Sequence, residues 1–513
     1  MKVLCRAYDL DAPGASGAAM RALADALRAR GDAVWATAEA VELAAVEAWA
    51  PDVVVAQQWA TCEAAGWSAS LHRPFVMLVH GSGQYEHFAP TCDLVVFTNV
   101  ALADAARDAI GRTPIEIADV AMNAAGVCDR LAGVAAAGRR HPTLTLCMTV
   151  ANEADTLDQA IDSVAGVVDE IVIGVDATST DDTLEIARRR ATRTFVFSES
   201  RPPDFPRMRN RAMALVETDW ALVLDGHEWI EHADRIRDAL QTAAWSIEIQ
   251  TLFEPDEQRV PALAFPFPRI HRRHVRFTGA AAHEEVSTPM ERRTTRLDIH
   301  VWHERHPGVA AEARCVDKSG AELQRLRDAW QARGDRRALF YLANGLRERG
   351  DHEAAADAYR EYLRAPNFAD EGWQARLYLA RCEGARGAWA AAEQEYHALV
   401  AAAPERAEAL VGLGHALLAR GDARRAAAWF RMATALPTPT DCRMFIEVPV
   451  YRWGGWHGLA LALHAVGDAA GAAEAEARAA ANGAGDWARK NVEWWRERAG
   501  TSAMKLACAG GER

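Results

Sequence analysis

Three hydrophobic runs in the middle of the chain end in residues able to hold a cation or move a proton. TLTLCMTV leads into Asn152 and Glu153, VDEIVIGVDA into Asp176, and WALVLDG into Asp225, His227 and Glu228. Continuous apolar runs of this length predict parallel strands covered on both faces. In a parallel sheet, acids at the carboxyl ends of strands gather in one crevice beside helix N-termini. Asp225 and His227, two positions apart, can place two side chains on one cation. A cation there can hold a diphosphate and offset the charge that develops as it leaves. Taken alone, Asp225-Gly226-His227-Glu228 reads first as a polar turn after a buried strand, and a turn acid or helix cap is the lesser alternative for Asp176. Asp181 and Asp182 read as the start of a helix rather than as ligands.

The elements that must position these groups fall into three regions, predicting a multidomain α/β plus all-α chain. Over residues 1–125, VLCRAY, AVWAT, DVVVAQQ, FVMLVHG and DLVVFTN alternate with Ala/Leu-rich segments such as GAAMRALADALRARGD. That pattern predicts a Rossmann-like, doubly wound α/β accessory domain. No GxGxxG follows its first strand, and APGASGAA is only a loose glycine-rich turn. Residues 126–142, small and ending in Pro142, predict a linker. A second α/β unit spans 143–310, with helices in NEADTLDQAIDSVAGV and STDDTLEIARRRA and a mixed hairpin region in FPFPRIHRRHVRFTG.

Residues 311–500 are Ala-rich and lack strand signals. Gly350, Gly387, Gly421 and Gly467 recur at intervals of 37, 34 and 46, close to the period of about 34 residues in tetratricopeptide (TPR) repeats. Ala355, Tyr359 and Pro366, then Ala392, Tyr396 and Pro404, then Leu413, Gly414, Ala426, Phe430 and Ala433 keep that phase, followed by Trp456, Leu459 and Ala472. The long interval holds PTPTDCRMFIEVPVYRWGG, too apolar for a loose loop and expected to fold onto the solenoid. DWARKNVEWWRERAG predicts the terminal cap, with 501–513 as a tail.

Composition bounds the rest. Fifty-eight basic against 71 acidic residues leave a formal charge of −13, which argues against a general nucleic-acid binder. The opening MKVLCRAYDLDAP meets Arg6 and Asp9 before any long apolar run, against a secretory signal. No charge-free apolar stretch is long enough for a transmembrane segment. Nine scattered cysteines without a CxxC pair argue against a disulfide framework. The expectation is a cytoplasmic protein.

Four blocks then fall in order: CMTVANE (147–153), VDATSTDDT (175–183), MRN (208–210) and LDGHE (224–228). Together they resemble a family 2 glycosyltransferase of the GT-A fold, in the subgroup whose blocks read CMIVKNEE, VDTGSTDGT, ARN and LDADE. The resemblance implies a nucleoside-diphosphate sugar donor, UDP-linked, met by Thr149, Asn152, Glu153, Asp176, Arg209, Asp225 and His283. In it Asp176 reads the uracil or ribose, Arg209 contacts the diphosphate, and Asp225 with His227 binds a divalent metal. Glu153 has an equal claim to orienting the loop of the first strand. His227 replaces the family's second Asp; imidazole suits Mn²⁺ better than Mg²⁺, so Mn²⁺ leads and Mg²⁺ follows. Ala151, Ala177 and Thr178 also depart from the pattern. FTGAAAHEEV (277–286) resembles the F-x-G-x-x-H-E element, which makes Glu284 the expected base for an inverting transfer, with Glu285 as its competitor.

His300, His303 and His306 in HVWHERH have metal-like spacing, and this subgroup carries a histidine there; donor pocket and interdomain packing both remain open for His303. RIHRRHVRF reads foremost as an exposed, solvated basic strand. The first domain weakly resembles the first half of GT-B glycosyltransferases, which suits acceptor binding or contacts with a second copy of the chain. The repeats suit a protein or peptide acceptor held in their groove, with lipid-linked and polysaccharide acceptors as alternatives. Two other functions compete: a degenerate scaffold whose repeats bind a partner protein, and a nucleotidyltransferase.

Overall fold

The computed structural model of the 513-residue chain describes residues 1–7, 15–39, 41–57, 73–79, 92–97, 103, 115–117, 124–137, 141–198, 205–242, 244–256, 259–273, 275–280, 283–287, 294–303, 320–439, 442 and 444–510. The expected α/β and all-α parts are both present.

The first sheet holds β1 (Lys2–Arg6), β2 (Ala33–Thr37), β3 (Val53–Gln57), β4 (Phe75–Val79), β5 (Leu94–Phe97) and β6 (Ile115–Ile117), in the order β2-β1-β3-β4-β5-β6. Every pairing is parallel. The unbroken apolar runs are explained by cover on both faces. Val3, Cys5 and Val55 pack under α1 (Ala15–Ala29), while Leu4, Val54 and Phe75 pack with Val46 of α2 (Leu43–Trp49). The linker expected over 126–142 is corrected in part. Ala124–Ala137 is a helix, α3, that buries Val127, Cys128 and Leu131 against α1. Its small residues permit close helix packing rather than an irregular chain.

The second sheet has eight strands in the order β11-β16-β12-β13-β10-β7-β8-β9. They are β7 (Leu144–Val150), β8 (Glu170–Asp176), β9 (Arg193–Phe197), β10 (Trp220–Val223), β11 (Glu228–Glu231), β12 (Ser246–Pro255), β13 (Pro261–Arg272) and β16 (Thr294–His303). β10, β7, β8 and β9 run parallel, and helices α4 (Leu157–Asp162), α5 (Thr183–Arg190) and α6 (Phe205–Met213) belong to this half. β13 then pairs antiparallel to β10, and β11 antiparallel to β16. A separate hairpin joins β14 (Arg276–Ala280) to β15 (His283–Ser287).

The front of the basic run RIHRRHVRF, the Arg269–Arg272 end of β13, is not solvated, whereas Arg276 beyond it is exposed. His271 is fully buried, Arg269 is 5% exposed and Arg272 1%. β13 lies inside the sheet, so these charges meet protein partners. Arg272 stacks on Trp220 at 3.7 Å and donates to the Thr242 and Ala244 carbonyls.

The remainder is helical: α7 (Ala321–Arg333), then pairs α8 (Arg336–Glu348) and α9 (His352–Leu363), α10 (Ala369–Ala385) and α11 (Trp389–Ala402), α12 (Ala407–Ala419) and α13 (Ala423–Ala433), α14 (Gly455–Ala465) and α15 (Ala469–Ala481), closed by α16 (Gly485–Gly510). The recurring glycines have one cause. Gly350, Gly387, Gly421 and Gly467 all take left-handed backbone, φ between +77° and +88°, which a side chain resists. After three of them comes an N-cap: Asp351, Asp422 and Asp468 accept from the N–H groups of Ala354, Arg425 and Gly471. Close packing sets the other small positions. A Cβ on Gly414 would sit 2.6 Å from the Phe430 ring.

Candidate active site

The β7 loop sets the first wall. Asn152 adopts φ +53°, and its side-chain oxygen accepts from the Thr180 N–H at 2.8 Å, tying the loop to the one after β8. The Glu153 N–H donates to Thr183 Oγ1 at 2.8 Å. Asp181 joins the same latch, accepting from the Ala154 N–H and the Thr183 hydroxyl and N–H. Burial opposes its charge, yet these hydrogen bonds hold its carboxyl below the ordinary range. Asp181 is thus a loop and helix-start residue, as its position suggested.

The third strand end supplies Asp225, His227 and Glu228. Gly226 lets the chain pass against Glu153, since a Cβ there would come within 2.7 Å of the Glu153 Cγ. The next residue meets the same carboxylate, His227 Nδ1 lying 3.1 Å from Glu153 Oε1. Glu228 is 1% exposed and acts as a hub. It accepts from the Asp225 N–H at 3.0 Å and from Arg269 at 2.6 Å, and lies 3.0 Å from His303 Nδ1. Burial alone would raise its pKa, but Arg269 with His303 holds it below the usual carboxylate range.

Among the described residues, Asp225, His227 and His303 each offer a ligand atom, all within 4.8 Å of one another. The two imidazoles meet edge to face, centroids 4.5 Å apart. Both Nδ1 atoms face carboxylates, which leaves Nε2 of each ring for an ion, the arrangement in which an outer carboxylate fixes ring orientation and basicity. Arg209, on α6, donates to Asp225 at 3.1 Å. Burial would raise the Asp225 pKa, but Arg209 and then His227 pull it far below normal. His227 is shifted upward: burial opposes its charge, and the Glu153 contact and Asp225 outweigh that.

The structure brings Glu153, Arg209, Asp225 and His227 together and adds His303. Thr149 is half-buried on β7, beside Gly174 in the sheet. Asp176, buried at the end of β8, accepts from the Thr178 N–H and hydroxyl at 2.8 and 2.9 Å. The His283, Glu284 and Glu285 side chains lie outside the described residues, as does His306. The backbone of that hairpin pairs Gly279 with Glu284, and Asn210 fixes its first strand. Its amide donates to the Phe277 carbonyl at 2.7 Å and accepts from the Phe277 N–H at 2.8 Å. His300 lies opposite Glu231 on the outer strands, apart from the cluster.

Sequence reasoning missed the Glu228–Arg269–His303 arrangement. Its signal was three charged groups on separate strands whose pairing no local pattern announces.

A mixed sheet whose parallel half ends in an acid–histidine cluster, joined to paired-helix repeats, defines an α/β domain carried on a helical array. Residues 145–246 match the family described as glycosyl transferase family 2, so the chain carries such a domain fused to TPR repeats. A TPR repeat-containing protein of Synechococcus elongatus is 35% identical over 91 residues, 18% of this chain and 22% of its own length. The chain therefore spans about a fifth of that curated relative. Among solved structures, MamA aligns at 14% identity with a TM-score of 0.28, over 35% of this chain and 96% of its own. A tetratricopeptide repeat protein from Parabacteroides merdae aligns at 15% identity with a TM-score of 0.29, over 40% and 75%.

Proposed function

We propose that the chain is an inverting glycosyltransferase using a nucleoside-diphosphate sugar, UDP-linked, with a divalent metal, Mn²⁺ ahead of Mg²⁺. The observation that carries this reading is the convergence of Asp225, His227 and His303, braced by Glu153 and Glu228 and flanked by Arg209. One carboxylate and two imidazoles suit a transition ion such as Mn²⁺. Bound there, the ion would neutralise the diphosphate and favour its departure.

The chain's own residues do the rest. Arg209 shares the diphosphate charge, and Asp176, with Thr149 on the neighbouring strand and Asn152 in the loop after it, faces the nucleoside. Glu284 takes the acceptor hydroxyl proton. The new C1–O bond forms on the face opposite the breaking C1–O bond to the diphosphate, and the nucleoside diphosphate leaves. His283 borders the donor on the same hairpin. A cytoplasmic setting and a protein or peptide acceptor belong to this proposal, supported by the repeats and by the absence, among the described residues, of a helix long and apolar enough to cross a membrane.

The test is Mn²⁺-dependent release of UDP from UDP-sugars by the full chain. Asp225→Ala should abolish it, and turnover that survives would refute the site. The scaffold reading rests on Ala151, Ala177 and Thr178, which depart from the family's blocks. Calorimetry showing no binding of millimolar UDP with Mn²⁺ would favour it. Pyrophosphate as product would instead indicate nucleotidyl transfer.

A further inference from the structure

The stretch between the third and fourth repeats does more than fold onto the solenoid. β10 covers the edge of β13 only from Ile270 to Arg272. Farther along, Ile446 adds to β13 by exchanging both backbone hydrogen bonds with Ala264, each 2.9 Å. This is strand addition, the mode by which sheets capture extended peptides.

The same stretch is gripped from the helical side. Met444 is buried among Leu339, Phe340 and Tyr378. Both terminal guanidinium nitrogens of Arg381 hold the Glu447 carboxylate, at 2.5 and 2.7 Å. The Glu447 N–H donates to Glu408, and Arg406 donates to the Phe445 carbonyl. The gripping residues lie on or beside α8, α10 and α12, the first helices of three successive pairs, which pack against one another in turn. Residues 444–447 thus occupy this array as a peptide ligand would, and they belong to the chain itself.

The side of the stretch toward the sheet leads to the metal cluster. Phe445 meets Phe265 at 5.0 Å and Phe253 at 5.9 Å between centroids. Phe253 lies opposite His303 in the β12–β16 register, its ring 4.9 Å from the imidazole. His303 therefore has Glu228 at its Nδ1 and Phe253 against its ring.

We propose that Phe445 is a positioning residue for the metal site. Clamped between the array and β13, it presses Phe253 against His303 and fixes the third ligand. The inference rests on reading Asp225, His227 and His303 as that site. It also means that an acceptor peptide does not share the inner face of these three repeats with residues 444–447.

Mn²⁺ titration of the full chain, by calorimetry and by the manganese electron-spin signal, tests it. Phe445→Ala should weaken Mn²⁺ binding about tenfold, the scale of effects outside the ligand shell, and Phe445→Leu should restore most of the loss. In a His303→Ala background, Phe445→Ala should change nothing further. Wild-type chain that binds no Mn²⁺ would overturn both the functional reading and this inference. Wild-type binding matched by a folded Phe445→Ala chain would overturn this inference alone. Should Phe445→Ala fail to fold, Arg381→Ala opens the same clamp from the array. Unchanged Mn²⁺ affinity in that variant would equally overturn the inference.

Discussion

Glu153 and Glu228 both face an imidazole, yet their surroundings separate what each does. Glu153→Gln keeps a polar group beside His227 and leaves no strong charge stranded. It should cost Mn²⁺ affinity about tenfold while leaving the denaturation midpoint close to wild type. Glu228→Ala strands Arg269, which is 5% exposed. Breaking such a buried pair costs about 3 kcal/mol, so urea unfolding should show a clear loss of stability together with lost metal binding. Equal effects of the two substitutions on stability would contradict this division. Asp225 and His227 were legible from their spacing after a strand. His303 was not assignable among its neighbours His300 and His306, because only the pairing of Glu228 with His303 across β11 and β16 brings it to them.

At the level of elements, β13 shows how position in a sheet overrides composition. Its basic run suggested a wet edge, but the strand is interior, and His271 is buried against Ser246 and Phe277. Burial, with Arg209 and Arg269 adding, pushes its pKa down from 6.5 to about 3. The sign follows directly. Above pH 6.5 both folded and unfolded chains hold it neutral, and its contribution to stability is complete. Between pH 6.5 and about 3 only the unfolded chain takes the proton, so stability falls with pH across that window. Urea midpoints should decline there, and His271→Gln should flatten the decline; an unchanged slope would refute the assignment. The repeats gave a firmer local signal, since glycine turns and aspartate caps act within a few residues. Phe430 fills the space left by Gly414 and Gly458, and Phe430→Ala should cost about 3–5 kcal/mol, read as a lower unfolding midpoint.

For the whole molecule, the array and the eight-stranded sheet share one seam. Phe253 and Phe265 meet Phe445, and Val448 packs beside Trp302 and Leu252. A fragment ending before α7 would leave that apolar surface and the Ala264 edge of β13 uncovered, an invitation to self-association. Light scattering of residues 1–319 should show aggregation that the full chain does not. A monodisperse fragment would mean that the seam is dispensable.

Local patterns along the chain were enough to predict the two α/β units, the repeat period and the Asp225–His227 pair after β10. Hydrophobic runs, glycine turns and an acid two residues from a histidine are local patterns, and local backbone physics reads them. It took the folded chain to show that His303 joins the cluster, that Arg269 is buried against Glu228, and that the insertion lies between array and sheet. Those outcomes depend on which strands become neighbours, a consequence of burying the whole core at once that no short stretch of residues encodes.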